Sequence, residues 1–126
     1  MAGQKEDIWD IIRFGNVNHV ISFVDKDSDT INLVDTSGNT PLHIASAWGF
    51  ADICKYLIKK GAKISATNQK GYTALHWAAL NGHDTICTVL LEAKSPISED
   101  IVVFCILSKI PLTYTKIFSI NNHHFI

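Results

Sequence analysis

Two histidines and two cysteines recur at one interval along the 126-residue sequence, and their side chains can bind metals or act in catalysis. His43 and His76 are 33 residues apart, and so are Cys54 and Cys87. Imidazole nitrogens and thiolate sulfurs are common zinc ligands, and a cysteine activated by a histidine can act as a nucleophile. Either use requires these side chains to meet in space, which depends on the elements that carry them.

The equal intervals belong to a longer internal repeat. Residues 38–65 laid over 71–98 share eleven identities in twenty-eight positions, where ordinary composition gives about two by chance. The most similar parts are "GNTPLHIASAWG" at 38–49 and "GYTALHWAALNG" at 71–82. A period of this length is typical of a solenoid, in which each unit stacks on the next.

The residues of one unit predict a turn followed by two short helices. Gly38 can adopt the positive φ of a turn, Thr40 is a good N-cap, and Pro41 suits the first helical position. The first helix is expected to end at Gly49, and a second helix is predicted over about residues 51–60. The predicted apolar sides of the second helices are Ile53, Cys54, Leu57 and Ile58 in one unit and Ile86, Cys87, Leu90 and Leu91 in the next, which begins at Thr73 and has Gly82 in place of Gly49.

These features resemble the ankyrin-repeat family, on the pieces "DTSGNTPLHIASAWG" and "NQKGYTALHWAALNGH". The resemblance covers about residues 6–98 and implies an all-α solenoid of about three helix-turn-helix units joined by hairpin loops. The first unit lacks the TPLH piece and resembles a degenerate capping repeat. The predicted segments are a capping repeat at 1–34, repeats at 35–67 and 68–98, and a divergent, non-repeat tail at 99–126.

Stacking of this kind argues against the metal and disulfide interpretations. Equivalent residues in neighbouring helical layers lie about 8–10 Å apart, whereas zinc ligands must lie within about 4 Å of each other. A disulfide requires Cα atoms within about 7 Å. The family resemblance implies instead that His43 and His76 bond to the loop backbone. The sequence also contains neither a GxxxxGK[ST] nor a GxGxxG loop, so we expect no enzyme, no cofactor and no metal site.

The resemblance also implies that variable side chains lie at the hairpin tips and on the concave side of the first helices. Trp48 stands just before Gly49, where folding requires no large ring, and Trp, Tyr and Arg are enriched at binding hot spots. The alternative is that Trp48 packs on its own hairpin or on the neighbouring unit. The predicted partner-binding residues are Arg13, Phe14, Thr36, Ser37, Asn39, Ala47, Trp48, Gln69, Lys70, Tyr72, Leu80 and Asn81.

Composition narrows the class of partner. The formal net charge of −1 gives no general attraction to nucleic acid or to an anionic membrane, and we interpret the basic stretch Lys55, Lys59, Lys60 and Lys63 as a solvated outer surface. The amino terminus has no signal-peptide pattern, and the apolar run at 101–107 is too short to span a bilayer. Three cysteines, an odd number, favour a reducing compartment. We expect a monomeric intracellular protein, in the cytoplasm or the nucleus.

Three functions remain open from the sequence. The first is a protein-protein interaction module. The second is a truncated or alternatively spliced amino-terminal ankyrin region of a larger enzyme or membrane protein, because the repeat pattern is lost near residue 99. The third is peripheral membrane contact by the tail, through the run at 101–107 with Lys109 and Lys116. The tail either covers the last repeat with a short helix or has no evolved structure.

Overall fold

The computed structural model of the chain describes residues 7–93 and Ser95, and within them it contains helices and no strand. The helices form three successive pairs, each joined by a tight turn. The predicted tail at 99–126, with Lys109 and Lys116, lies outside the described residues. Over residues 7–93 the six α-helices are α1 (Ile8–Arg13), α2 (Val17–Lys26), α3 (Pro41–Trp48), α4 (Ala51–Lys59), α5 (Ala74–Leu80) and α6 (Asp84–Glu92).

The ends of α3 follow from the residues that flank it. The Thr40 hydroxyl accepts a hydrogen bond from the backbone N–H of His43, and the His43 ring accepts one from the backbone N–H of Thr40, which forms a capping box. Pro41 occupies the first turn, where no helical partner for an N–H is needed. Gly49 ends the helix at φ +87°, in the left-handed region that favours glycine. The predicted cap and stop are confirmed.

The third pair, α5 and α6, repeats this plan with small differences. Thr73 and His76 form the same capping box at the start of α5. The last residue of α5 is Leu80, and Gly82 then takes a φ of +74° in the following turn. The helix α4 ends at Lys59, one residue earlier than predicted, because Lys60 already belongs to the turn before Gly61.

The helices form two layers. The inner helices α1, α3 and α5 pack side by side, and the outer helices α2, α4 and α6 pack against one another and against their inner partners. Leu42 and Leu75 on the inner layer and Leu57 and Leu90 on the outer layer are at most 1% exposed. All four belong to one continuous hydrophobic cluster, so each unit completes the core of its neighbour.

The first unit is a helix pair of the same kind despite its divergent sequence. Val20 and Val24 of α2 and Ile31 of the following 3-10 helix are buried in the common cluster. Asp7 and Asn16 supply the caps of α1 and α2 through their side-chain oxygens. The capping role that the resemblance implied for this unit stays a prediction.

The two cysteines of the repeats are core residues. Cys54 and Cys87 are fully buried and form no disulfide. Burial raises the pKa of the Cys54 thiol to about 11, and a hydrogen bond between Ser46 Oγ and the sulfur, 3.5 Å apart, acts in the opposite direction. The interpretation of both as small apolar side chains is confirmed.

We therefore expect Cys54 to resist thiol reagents in the folded protein. Its raised pKa lowers the reactive thiolate fraction about a hundredfold near pH 8, and burial also blocks access. Labelling with a disulfide reagent, read site by site by mass spectrometry in a Cys105→Ser background, measures this. Labelling of folded Cys54 as fast as in urea would contradict the expectation.

None of the helices in the described part of the chain is long and apolar enough to cross a membrane.

Candidate functional site

The hairpin tips are shaped by one polar side chain in each loop. The Asp35 carboxylate accepts hydrogen bonds from the backbone N–H groups of Ser37 and Asn39, both at 2.9 Å. In the next loop the Asn68 side-chain oxygen accepts bonds from the backbone of Lys70 at 2.9 Å and Tyr72 at 3.0 Å. These bonds hold the backbone of each tip in one conformation.

Neighbouring tips are also bonded to each other. The Gln69 backbone N–H donates to the Ser37 carbonyl at 3.0 Å, and the Gln69 side chain donates to the Thr36 carbonyl at 3.0 Å. A Cβ at Gly38, where φ is +79°, would lie 3.1 Å from the Gln69 nitrogen, so this close approach depends on glycine. The two hairpin tips are therefore held together as one continuous surface.

His43 joins the inner helix α3 to the next hairpin. Its Nδ1 accepts a hydrogen bond from the backbone N–H of Thr40 at 3.0 Å, and its Nε2 donates to the Tyr72 carbonyl at 2.8 Å. Both ring nitrogens are engaged, so His43 offers no lone pair to a metal or a substrate. The prediction that this histidine bonds to loop backbone is confirmed. No group of metal-binding side chains occurs among the described residues.

This link makes stability depend on pH. Burial is the main effect on the pKa of His43 and lowers it from 6.5, while the bond to Tyr72 opposes the shift. The folded chain thus binds a proton less readily than the unfolded chain. The contribution of neutral His43 to the free energy of unfolding is fully present above pH 6.5. It is lost as the pH falls from 6.5 toward the lowered pKa of His43 in the folded chain.

We expect His43→Gln to flatten this pH dependence, because the substituted side chain does not titrate. Urea unfolding at several pH values between 7.5 and 5 measures it, with the wild type as the reference. Unfolding midpoints that fall in parallel for both proteins would show that another group is responsible.

The far ends of the inner helices expose large apolar side chains. Phe14, which follows α1, is 79% exposed, and Trp48, which ends α3, is 57% exposed; Leu80, which ends α5, is 39% exposed. Polar bonds hold these ends together. The Asn81 side chain donates to the Ala47 carbonyl at 2.8 Å, and the His83 Nε2 lies 3.1 Å from the same oxygen.

Ten of the twelve predicted partner-binding residues occupy two places in the structure. Thr36, Ser37, Gln69 and Lys70 lie together at the exposed hairpin tips. The helix α3, which is about 12 Å long, separates its far end from the hairpin that precedes it. The residues at the inner-helix ends are Arg13, Phe14, Ala47, Trp48, Leu80 and Asn81, of which Ala47 is half-buried and the others are exposed.

Asn39 and Tyr72 lie at the base of the hairpins. Asn39 is only 8% exposed, and its side-chain oxygen accepts bonds from Asn68 at 2.9 Å and from the Trp77 indole at 3.1 Å. Its polar atoms join two hairpins, so little of its side chain is exposed to solvent. Tyr72 is half-buried and stacks on His76 with ring centroids 5.2 Å apart.

Two further features were not predicted. The His83 ring lies against Gly49, where a Cβ would come within 2.7 Å of it, and Phe50 lies against Gly15 in the same way at 2.8 Å. The sequence contained part of this information, since each ring belongs to the residue that directly follows the glycine of its own turn. The lysine stretch on α4 is exposed as expected, and Lys60 pairs with Asp25 at 3.6 Å.

Comparisons with known proteins agree with this architecture. A family model of ankyrin repeats, in three copies, matches residues 8–101. The chain is similar to the palmitoyltransferase akr1 of Emericella nidulans, with 38% identity over 61 residues, which are 48% of this chain and 8% of that protein. It is also similar to protein phosphatase 1 regulatory subunit 27 of Homo sapiens, with 46% identity over 54 residues, 43% of this chain and 34% of that protein. The matched segment thus spans about a third or less of each of these relatives.

Proposed function

This chain belongs to the ankyrin-repeat family, and we propose that it is a protein-interaction module whose partner contacts the hairpin tips and the inner-helix ends. Repeats of this kind are typical of protein binding, because stacking lines up successive loops as an extended surface. The partner surface comprises the exposed members of the predicted set: Arg13, Phe14, Thr36, Ser37, Trp48, Gln69, Lys70, Leu80 and Asn81.

The exposure of Trp48 carries the proposal. A tryptophan that is 57% exposed at the end of a regular helix contributes less to folding than a buried ring and leaves apolar surface in water. Phe14, at the same end of the neighbouring inner helix, is 79% exposed. Large rings held on a rigid frame have the composition of binding hot spots.

Binding without catalysis is supported by the state of the reactive side chains. Both ring nitrogens of His43 bond to backbone or helix-cap groups, and burial raises the pKa of the Cys54 thiol to about 11. Two buried cysteines without a disulfide are also consistent with a reducing, intracellular compartment.

Affinity purification with the wild-type chain beside the Trp48→Ala variant tests the proposal. A partner that binds this surface is retained by the wild type and lost with the variant, and titration of the purified partner then gives both affinities. Equal retention by both proteins would contradict the proposed surface. A folded variant is required, which a thermal melt verifies.

A second candidate is that these repeats act within a larger enzyme or membrane protein. The chain is similar to a palmitoyltransferase, and the matched segment is 8% of that protein, which favours this candidate. Sequencing of transcripts that contain the coding region for residues 35–93 tests this candidate. Products that all end as this chain does would exclude it.

A further inference from the structure

The inner-helix ends form a row of apolar side chains on one edge of the molecule. Phe14, Trp48 and Leu80 stand at the ends of α1, α3 and α5, which pack side by side. Packed helices lie about 8–10 Å apart, so this is the interval between neighbouring inner-helix ends. Within the repeat Leu80 corresponds to Ala47, and Asn81 to Trp48, so the interval applies to the helix ends and not to equivalent side chains. Each repeat therefore contributes one exposed apolar side chain to this edge.

A cleft lies between each pair of neighbouring turns on the same edge. The first, of about 260 Å³, is lined by residues that include Gly15, Phe50 and Asp52. The second, of about 210 Å³, includes His83 and Asp84, and the two clefts share Gly49 and Ala51. Each cleft is the size of one or two side chains, and the tight packing at the glycines keeps its floor rigid.

The charge on this edge is negative. Asp52 lines the first cleft and Asp84 the second, and neither forms an ion pair with any residue that the structure describes. The nearby cation Arg13 is paired with Asp10 at 3.5 Å. A complementary partner therefore carries basic side chains between its apolar ones.

The interval between the inner-helix ends also indicates the backbone conformation of the partner. Side chains on one face of a β-strand recur every ~7 Å, which does not fit a step of about 8–10 Å. A polyproline II segment presents every third residue on one face at about 9.3 Å, which fits. A helix reaches about 10.5 Å at every seventh residue, but its carbonyls are bonded internally. The Trp48 indole N–H donates to no described residue, so it favours a partner with free carbonyls.

We propose that this edge binds a basic polyproline II segment with an apolar side chain at every third residue. The apolar side chains enter the clefts beside Trp48, and the basic ones pair with Asp52 and Asp84. This inference rests on the proposed function and names the chemistry of the partner at the inner-helix ends.

The probe is a fluorescent peptide of four repeats of proline-leucine-arginine, titrated against the full chain by anisotropy. A peptide of the same composition with its leucines out of the three-residue period is the control. We expect at least tenfold weaker binding of the control and of the Trp48→Ala protein. The double variant Asp52→Asn with Asp84→Asn is expected to bind severalfold more weakly and with a smaller salt dependence. Val34→Ala, which changes an exposed side chain outside the proposed partner surface, is expected to bind as the wild type does.

Equal binding of the two peptides, or binding indifferent to Trp48→Ala, would overturn the inference. Tighter binding of a helical peptide with leucine at every seventh residue would also overturn it. A second comparison distinguishes failure of this inference from failure of the proposed function. If the peptides fail while the purified protein partner still loses affinity on Trp48→Ala, the module binds a partner of other chemistry; if both fail, the surface is wrong.

Discussion

Replacing Leu42 by alanine is expected to lower the free energy of unfolding by about 2–5 kcal/mol. Leu42 is 1% exposed and lies in α3, the inner helix that packs against both α1 and α5. Truncation leaves a cavity at the centre of the stack, where rigid neighbours on both sides limit collapse. Urea unfolding followed by circular dichroism measures the change.

The same substitution at Leu33 is the control. Leu33 is 49% exposed, so its truncation is expected to cost less than about 1 kcal/mol. An unfolding midpoint of the Leu42→Ala protein equal to that of the Leu33→Ala protein would refute the assignment of Leu42 to the core.

Replacing Trp48 by alanine is expected to act on binding and not on folding. Loss of a hot-spot tryptophan costs about 2 kcal/mol or more of binding free energy, which is about 30-fold in Kd. Stability should change by only about 0.5 kcal/mol, as is usual for surface positions, because the ring is 57% exposed. Titration of the purified partner, with a urea melt of both proteins, measures the two effects.

Val34→Ala serves as the matched control for this substitution. Val34 is 59% exposed but lies outside the proposed partner surface, so its truncation should leave the affinity unchanged. Equal losses from both substitutions would indicate nonspecific apolar contact. A large loss of stability from Trp48→Ala would instead support the alternative that the ring packs on its own structure.

The local elements were predictable because each is encoded by adjacent residues. Thr40, Pro41 and Gly49 define the start and the end of α3 within a few positions, through a hydroxyl cap, a fixed φ and a left-handed stop. The repeat supplied the long-range part. Once units stack, the repeat period indicates which side chains face the next layer. The buried residues of α6 and three of the four predicted on α4 followed from this spacing, whereas Ile58 is only half-buried.

The candidate site was less predictable because it depends on contacts between units. Asn39 occupies a tip position in the repeat pattern, yet Asn68 and Trp77 of the next unit bury and bond its side chain. The clefts depend on how Phe50 and His83 lie over the glycines of neighbouring turns. No single unit contains this information, and a repeat pattern does not state which variable side chains meet.

The first unit has a divergent loop sequence but the same core spacing as the other units. Its sequence lacks the TPLH piece, and Asn16 caps α2 where the later outer helices α4 and α6 have no side-chain cap. The buried residues Val20 and Val24 nevertheless keep the spacing of the other units. Core spacing therefore persisted where the loop signature did not, which is why the first unit was detectable as a repeat.

Hydrogen-deuterium exchange of the full chain, alone and with the purified partner, tests the central claim most directly. If the stacked layers support a binding surface, exchange should slow at the tips and at the inner-helix ends. The peptides to follow cover residues 13–16, 36–38, 47–52, 69–72 and 80–84. Slowing confined to the outer helices α2, α4 and α6, with these peptides unchanged, would contradict the account.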